Sequence, residues 1–292
     1  FFTQLFVSQA PQSSFYRRVK FDSRFLRRKC VCGMEKNMSY RERVVVTSVS
    51  KLGTDVYEMR LKTQNIAKDS KPGQFISVYS NDGSRLLPRP ISICGIDGDE
   101  LRIVYRVVGK GTKEFSTMSA GGELDIQGPL GNGYDVNAEY ASKKAIIFGG
   151  GIGIPPMLEL AKQLNCEKTI VLGYKDELFL NKDFEPYGKV VIATEDGSCG
   201  TKGNVLDAVM ENNVDGEVIY ACGPTPMLRA IKAYALENNM ECYVSLEEKM
   251  ACGIGACLAC VCKSKEKDEH SQVNNKRVCK EGPVFNALEV EI

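Results

Sequence analysis

The sequence predicts a multidomain protein: an antiparallel β-barrel first, a doubly wound α/β domain second, and a small C-terminal domain organised by cysteines. Three observations predict it. Residues 40 to 135 break into short β-type runs separated by turns. After residue 140 the rhythm becomes an alternation of strands and helices. Near the C-terminus Cys252, Cys257 and Cys260 stand at C-x4-C-x2-C spacing, with Cys279 downstream.

The barrel runs are Arg43–Val49, Val56–Lys62, Gln74–Tyr79, Pro90–Ile93, Leu101–Arg106 and Glu123–Ile126, rich in β-branched and aromatic residues. Short strands punctuated by turns such as Asn81-Asp82-Gly83 favour a small closed antiparallel sheet. In the second part, Lys144–Phe148 reads as a buried strand that runs into the glycines Gly149, Gly150, Gly151 and Gly153. A helix follows over Pro155–Ala161, where proline lacks only an N–H that the first turn leaves unbonded anyway. Further strands are expected over Thr169–Leu172, Val190–Ala193, Val218–Ala221 and Glu241–Ser245, and a helix over Pro226–Leu236. The expected division is residues 39–138 for the barrel, 139–240 for the α/β domain and 241–292 for the cysteine domain. The first 33 residues are Arg-rich with one acid, Asp22, a composition that transit peptides share; residues 1–38 are expected instead to form a disordered extension, with Met34 or Met38 as a natural start.

Composition narrows the function. A net charge of +1 provides no field to recruit nucleic acid or an acidic membrane, and no apolar run approaches the roughly 20 residues of a membrane span. Twelve cysteines in 292 residues would suit a disulfide scaffold only in a much shorter chain; their use fits a reducing cytoplasm.

The cysteine spacing is the ligand rhythm of a plant-type [2Fe–2S] cluster. Gly253 and Gly255 allow a backbone tight enough to aim several thiolates at one point. Structural zinc is the competing reading, but zinc sites usually pair one CxxC with another or with histidines. Here His270 is the one histidine, in a polar insert over Lys263–Lys276 read as a solvated loop. Cys262 leaves the register open, since it could replace Cys260 or Cys279.

Two turns suit a nucleotide. Gly149–Gly153, and Cys222-Gly223-Pro224, each follow a strand and precede a helix, which places both at the carboxyl edge of one parallel sheet. Either alone could be an ordinary tight turn. The barrel adds Arg89-Pro90-Ile91-Ser92, a fixed cation and a hydroxyl at a stiffened bend, and Gly109–Thr112, flexible backbone with a hydroxyl; both suit a diphosphate.

Taken together, the motifs resemble the ferredoxin–NADP reductase superfamily. Within it, Glu248–Cys260 and Arg277–Phe285 resemble the electron-transfer subunits of the class 1B dihydroorotate dehydrogenases, over about residues 40 to 292. The resemblance implies FAD held by Arg89, Pro90, Ile91 and Ser92, lined by Val104, Tyr105 and Arg106, with Gly111 and Thr112 on its diphosphate. It implies NAD(H) on Gly149, Gly150, Gly151, Gly153, Cys222, Gly223 and Pro224, with Cys222 near the nicotinamide. It implies a [2Fe–2S] cluster on Cys252, Cys257, Cys260 and Cys279. Two features depart from the wider superfamily: Ile91 stands where an aromatic is common, and Cys279 follows Cys260 by 19 positions.

No catalytic acid or base is implied. The implied role is an electron conduit from NADH through FAD and the cluster to the FMN of a separate dihydroorotate dehydrogenase catalytic subunit, in a heterotetramer of two subunits of each kind, with net physiological flow from dihydroorotate to NAD. Glu195 and Asp196, after the third α/β strand, favour NADH over NADPH because a 2′-phosphate would want Arg or Lys. The alternative is an NAD(P)H-linked flavin and iron–sulfur subunit of a ferredoxin or sulfur oxidoreductase; such relatives often carry Asp where this chain has Cys252. A regulatory nucleotide-binding module with structural zinc is the reading from another class, and it predicts a colourless protein.

Overall fold

A computed structural model of the protein describes residues 38–136, 143–267 and 272–292. The N-terminal segment to residue 37 and His270 lie outside the described residues.

The barrel comprises β1 (Tyr40–Lys51), β2 (Val56–Lys62), β3 (Phe75–Val78), β4 (Arg89–Asp97), β5 (Glu100–Arg106) and β6 (Glu123–Leu130). They close in the order β1-β2-β5-β4-β3-β6, and neighbours pair antiparallel. Period-two alternation fills the interior with Val44, Val46, Met59, Leu61, Ile76, Ile93, Ile103, Leu124 and Ile126. The short helix α1 (Ile66–Asp69) buries Ile66 and Ala67, and α2 (Lys110–Ser116) sends Phe115 into the same interior.

The second sheet is built from β7 (Ala145–Gly150), β8 (Lys168–Tyr174), β9 (Lys189–Thr194), β10 (Thr201–Lys202), β11 (Val218–Cys222) and β12 (Glu241–Ser245), all parallel. Helices α3 (Pro155–Gln163), α4 (Asn181–Phe184), α5 (Val205–Glu211) and α6 (Thr225–Glu237) connect them. Helix α5 was not expected from the sequence. Asn204 caps it, accepting from the Leu206 and Asp207 N–H groups, while the Asp207 carboxylate takes the Asn204 N–H. The sheet order is β10-β9-β8-β7-β11-β12-β15, with β15 (Val284–Asn286) returning antiparallel on the outer edge. From β7 the chain steps first to β8 on one side and later to β11 on the other. The carboxyl ends of β7 and β11 therefore flank the switch point where open α/β sheets bind ligands.

The remaining strands, β13 (Val261–Lys263) and β14 (Asn275–Arg277), pair antiparallel beside the cysteine loop. Cys260, Cys262, Val278, Cys279 and Phe285 are buried in the same apolar cluster as Phe148 and Val244 of the parallel sheet. The C-terminal segment thus packs on the sheet's core. A second cluster joins Val56, Cys94 and Val104 of the barrel to Ile147 and Tyr220 of the sheet and Met157 of α3.

Polar contacts pin the same seam. Glu159, buried on α3, accepts the Ile96 N–H at 2.9 Å and the Gln163 amide at 2.6 Å. Lys162 donates to the Ile96 carbonyl at 2.8 Å. Arg102 on β5 is bonded to Glu58 through Nε at 2.7 Å and to Asp183 of α4 at 2.5 Å. Among the described residues no helix is long and apolar enough to cross a membrane.

Candidate functional site: a cleft where three segments meet

The barrel is zipped unevenly. Strand β4 pairs with β3 along Arg89–Ser92, and β5 pairs with β2 out to Arg106. Between β4 and β5, however, the ladder runs only from Asp97↔Glu100 to Ile93↔Ile103. Beyond it, Arg89–Ser92 and Val104–Arg106 diverge, leaving strand edges free to meet a planar ligand. Arg89–Ser92 and Val104–Arg106, which the resemblance implies as flavin-lining, are thus the two lips of one slot.

Alternation sorts their side chains. Pro90 and Ser92 face the cleft, and Arg106 opens to it from the other lip. Ile91 and Tyr105 point into the barrel core, and Val104 into the core shared with the sheet. For these three the side chain lies away from the cleft, and only backbone remains for a flavin. The Ile91 side chain therefore does not occupy a stacking position. The Tyr105 hydroxyl is buried without a hydrogen-bond partner among the described residues.

At the end of the slot the Arg89 guanidinium lies against Gly111: a Cβ there would sit 2.3 Å from Arg89 Nε. Arg89 bonds the Leu87 carbonyl and has no carboxylate partner among the described residues. Arg85 nearby is neutralised by Asp82 and Glu114. An uncompensated guanidinium over the start of α2 fits an anionic diphosphate. The Thr112 hydroxyl is engaged in capping α2: it accepts from the Val108 N–H at 3.0 Å and donates to the Gly109 carbonyl at 3.1 Å.

Across the cleft stand the two loops of the parallel sheet. Gly149 is buried and shapes the turn, since a Cβ there would come within 3.0 Å of Ile154 Cα. Gly150, Gly151 and Gly153 face the cleft with Cys222, Gly223 and Pro224. Gly153 is packed against the other loop, where a Cβ would meet the Cys222 carbonyl at 2.5 Å. Burial pushes the Cys222 thiol up to about 12; a hydrogen bond with Ser245 opposes the shift and Glu247 adds to it. The group is a neutral thiol at physiological pH.

A third wall was not expected. Ser245, Leu246, Glu247, Glu248, Met250 and Pro283 complete a cleft of about 360 Å³, together with Phe75. Ser245 ends β12 beside Cys222, its partner in register. A second groove of about 560 Å³ runs from the glycine loop past Tyr174, Lys175, Glu195 and Asn204. Glu195, the acid that the sequence analysis took to disfavour a 2′-phosphate, lines this groove.

The cysteine loop begins two residues beyond Met250. Gly253, Gly255 and Leu258 take left-handed backbone at φ of 69°, 84° and 58°. The loop abuts the barrel, where a Cβ on Gly253 would meet Ser77 Oγ at 2.9 Å; Ser77 pairs with Pro90 of the slot. The thiols gather in twos. The Gly255 N–H donates to Cys279 Sγ at 3.1 Å, and the Cys279 N–H to Cys260 Sγ at 3.4 Å. The Ala256 N–H donates to Cys252 Sγ at 3.3 Å, with Cys257 as the neighbouring thiol.

Burial opposes ionisation of Cys252, but N–H groups of Ile254, Cys257 and Ala256 outweigh it and bring the thiol down to about 6. Cys279 is pushed up to about 12, first by burial and then by Cys260 beside it. Among the described residues no three Cys, His or acidic groups form a single-ion site. A [2Fe–2S] centre asks for something else, four thiolates shared between two irons, and two pairs of thiols under inward N–H groups fit it. Arg277 braces the loop, donating to the Gly255 carbonyl at 2.9 Å and pairing with Glu281. Cys262 lies on β13, buried, and lines with Arg229 and Glu291 an adjoining cavity that shares Gly223, Pro224, Leu246, Glu247 and Glu248 with the cleft.

Comparison with known proteins agrees with this geometry. Residues 247–291 match the iron–sulfur cluster binding domain of dihydroorotate dehydrogenase B. The chain is 45% identical over 253 residues to the dihydroorotate dehydrogenase B (NAD(+)) electron transfer subunit of Fusobacterium nucleatum subsp. nucleatum, covering 82% of this chain and 95% of that protein. The subunit of the same name from Caldanaerobacter subterraneus subsp. tengcongensis is 43% identical over 254 residues, covering 87% and 99%. Among solved structures, an NADH-dependent reduced ferredoxin-NADP oxidoreductase is similar at a TM-score of 0.76 and 26% identity, covering 85% of this chain and 89% of that one. Phthalate dioxygenase reductase shares the fold at a TM-score of 0.55 and 16% identity, covering 82% and 94%.

Proposed function

The chain belongs to the family of dihydroorotate dehydrogenase B electron transfer subunits, and we propose on that footing that it carries electrons between NAD(H) and a dihydroorotate dehydrogenase catalytic subunit through FAD and a [2Fe–2S] cluster. The observation that carries the reading is convergence. Slot residues Pro90, Ser92 and Arg106, loop residues Gly150–Gly153 and Cys222–Pro224, and Met250 at the threshold of the cysteine loop line a single cleft.

Bound in these sites, FAD and the cluster would supply the conversion between two-electron hydride chemistry and single-electron transfer. The chain's own residues position and insulate. Arg89 and Gly111 would hold the flavin diphosphate, Ser92 and the open strand edges its ring system, and Cys252, Cys257, Cys260 and Cys279 the irons. The glycine loop and Cys222-Gly223-Pro224 would present the nicotinamide face to the slot. Cys222, held neutral, excludes water without giving up a proton. Met250, Phe75 and Pro283 add apolar wall. Glu195, facing the second groove, disfavours a 2′-phosphate and selects NADH.

The proposed partner carries FMN and assembles with this chain as two subunits of each kind in the cytoplasm. The experiment is reconstitution. Mixed with an FMN-containing dihydroorotate dehydrogenase subunit, the loaded chain should couple dihydroorotate oxidation to NAD reduction. Coupling only to ferredoxin would favour the alternative of a ferredoxin oxidoreductase subunit, to which the likeness at a TM-score of 0.76 lends support.

A further inference from the structure

We propose that Glu159 and Lys162 act as positioning residues for hydride transfer, fixing how the nicotinamide loops face the flavin slot; this rests on the reading that NADH reduces a flavin in the cleft. The outer edge of β4 is only partly covered by a strand. Strand β3 pairs with it along Arg89–Ser92, and one more bond runs from the Ile93 N–H to the Gln74 carbonyl at 3.0 Å. Farther on, no strand lies on that side of β4 among the described residues, while on its other side Ile96 faces Leu101 of β5. The backbone groups of Ile96 that turn away from β5 need other partners. Helix α3 supplies them. Glu159 Oε2 accepts the Ile96 N–H at 2.9 Å, and Lys162 Nζ donates to the Ile96 carbonyl at 2.8 Å. Side chains three positions apart stand on one helix face, so a single turn of α3 grips both backbone groups of one residue, as a paired strand would. Each gripping group is itself held. Gln163 donates to Glu159 Oε1 at 2.6 Å, and Lys162 bonds Asp97 at 3.0 Å and lies 3.7 Å from the Glu159 carboxylate. Glu159 is 2% exposed, and a buried polar network whose members are all bonded holds one geometry.

The two gripped elements lead to the two halves of the cleft. Ser92 stands four residues before Ile96, about 13 Å back along a strand, and faces the cleft from the flavin slot. Pro155 stands four residues before Glu159, about 6 Å back along a helix, and just ahead of it Gly150–Gly153 line the opposite wall. Between grip and cleft, Cys94 of β4 and Met157 of α3 belong to the buried cluster that barrel and sheet share. Apolar burial is non-directional, so it holds strand and helix together without choosing their angle. The two hydrogen bonds weaken steeply off line and do choose it. A small turn of α3 about this grip would move the glycine loop against the slot while leaving each binding site intact.

The test follows flavin reduction by NADH in rapid-mixing experiments on the FAD-loaded full chain. Glu159→Leu keeps the bulk and removes the acceptor. It should lower the limiting rate at saturating NADH about ten- to a hundredfold, the cost of a misplacement near 1 Å, with little change in Kd for NAD and with FAD retained. The long-wavelength absorbance of a nicotinamide stacked on the flavin should weaken in step. Glu159→Gln, whose amide oxygen accepts the same N–H, should recover most of the rate. Lys162→Met, at an exposed side chain, should cause a smaller loss of the same kind. A merely structural role would lower the melting temperature and leave the limiting rate and that absorbance alone. An unchanged limiting rate in Glu159→Leu, a loss confined to Kd, or a Glu159→Gln rate as slow as that of Glu159→Leu would overturn the assignment. Should Glu159→Leu not retain FAD, Lys162→Met decides: a slowed limiting rate with FAD bound sustains the assignment, and an unaltered one overturns it. Wild-type protein whose flavin NADH does not reduce would instead defeat the reading beneath it.

Discussion

Two neighbouring regions, the slot between β4 and β5 and the cysteine loop that abuts the barrel at Ser77, are built on different terms. The slot is made by secondary structure: β4 and β5 are each paired on the outer edge, and Ile91 and Tyr105 anchor its lips in the barrel core. The loop is irregular backbone. Cys257 is exposed, Ile254 and Leu258 are 50% and 61% exposed, and Arg277 ties the middle of the loop to Glu281. A ladder forms whether or not a ligand is present, whereas thiols gathered in pairs release protons and gain rigidity when metal binds. The difference implies a slot that persists without its cofactor and a loop that takes its final shape from the cluster.

The sharpest way to break this comparison is to remove a buried thiol. Cys279→Ser should abolish the cluster's visible absorbance and electron delivery to a partner, while bound FAD and its reduction by NADH persist. Loss of FAD together with iron, by cofactor analysis, would show that slot and loop are one folding unit.

The next largest effect should fall on the slot's framework. Arg102→Ala removes its bonds to Glu58 and Asp183 at the seam between barrel and sheet and leaves Glu58 paired with Arg60; losing charge-assisted hydrogen bonds of this kind costs about 1.5–3 kcal/mol. Denaturant unfolding of the FAD-loaded protein should show it. An unchanged midpoint would mean that the apolar seam around Val56, Cys94 and Met157 suffices.

Arg277→Ala sharpens the comparison from the loop side. Removing a brace behind metal ligands typically costs 10- to 100-fold in affinity, so iron should be lost faster to a chelator while FAD is retained. Equal iron retention would move the loop's rigidity to the cysteines alone.

A smaller effect is expected where the sheet's two loops touch. Gly153→Ala places a methyl 2.5 Å from the Cys222 carbonyl, and overpacking of this kind costs about 1–3 kcal/mol. KM for NADH should rise, with FAD and iron contents intact; an unaltered KM would place the nucleotide elsewhere.

The smallest effect concerns pH. Because Cys222 is pushed up to about 12, the folded state holds its proton more tightly than the unfolded chain. Its contribution to stability is present below the ordinary thiol range near 9 and is lost as pH rises toward about 12. Flavin reduction by NADH should therefore show no ionisation from Cys222 between pH 6 and 9 in Cys222→Ala against wild type. A thiol pKa within that window, from alkylation rates, would overturn the neutral-thiol role.

What could be read from the sequence follows from how local each signal is. The cysteine rhythm is carried by nine consecutive residues and one later thiol, and the barrel strands and the five central strands of the parallel sheet were legible from periodicity, whereas the two-residue β10 is too short to show one. The phase of β4 and β5 against the barrel core was not: which of Ile91 and Ser92 faces the cleft depends on closure of the whole barrel. Helix α5 is seven residues long and starts behind Gly200 and Gly203, so its Asn204–Asp207 cap was hidden among turn signals. The wall from Ser245 to Met250 and the antiparallel return of Val284–Asn286 depend on pairings far apart in the chain, which no local pattern announces.

The central claim is that one chain brings a nicotinamide site and a flavin slot to one cleft, with an iron–sulfur loop beginning just beyond its wall at Met250. The anaerobic visible spectrum of freshly purified full chain, before and after NADH, tests it most directly. The account predicts flavin and cluster absorbance that both bleach. A colourless protein, or flavin bleaching with no cluster band, would contradict it.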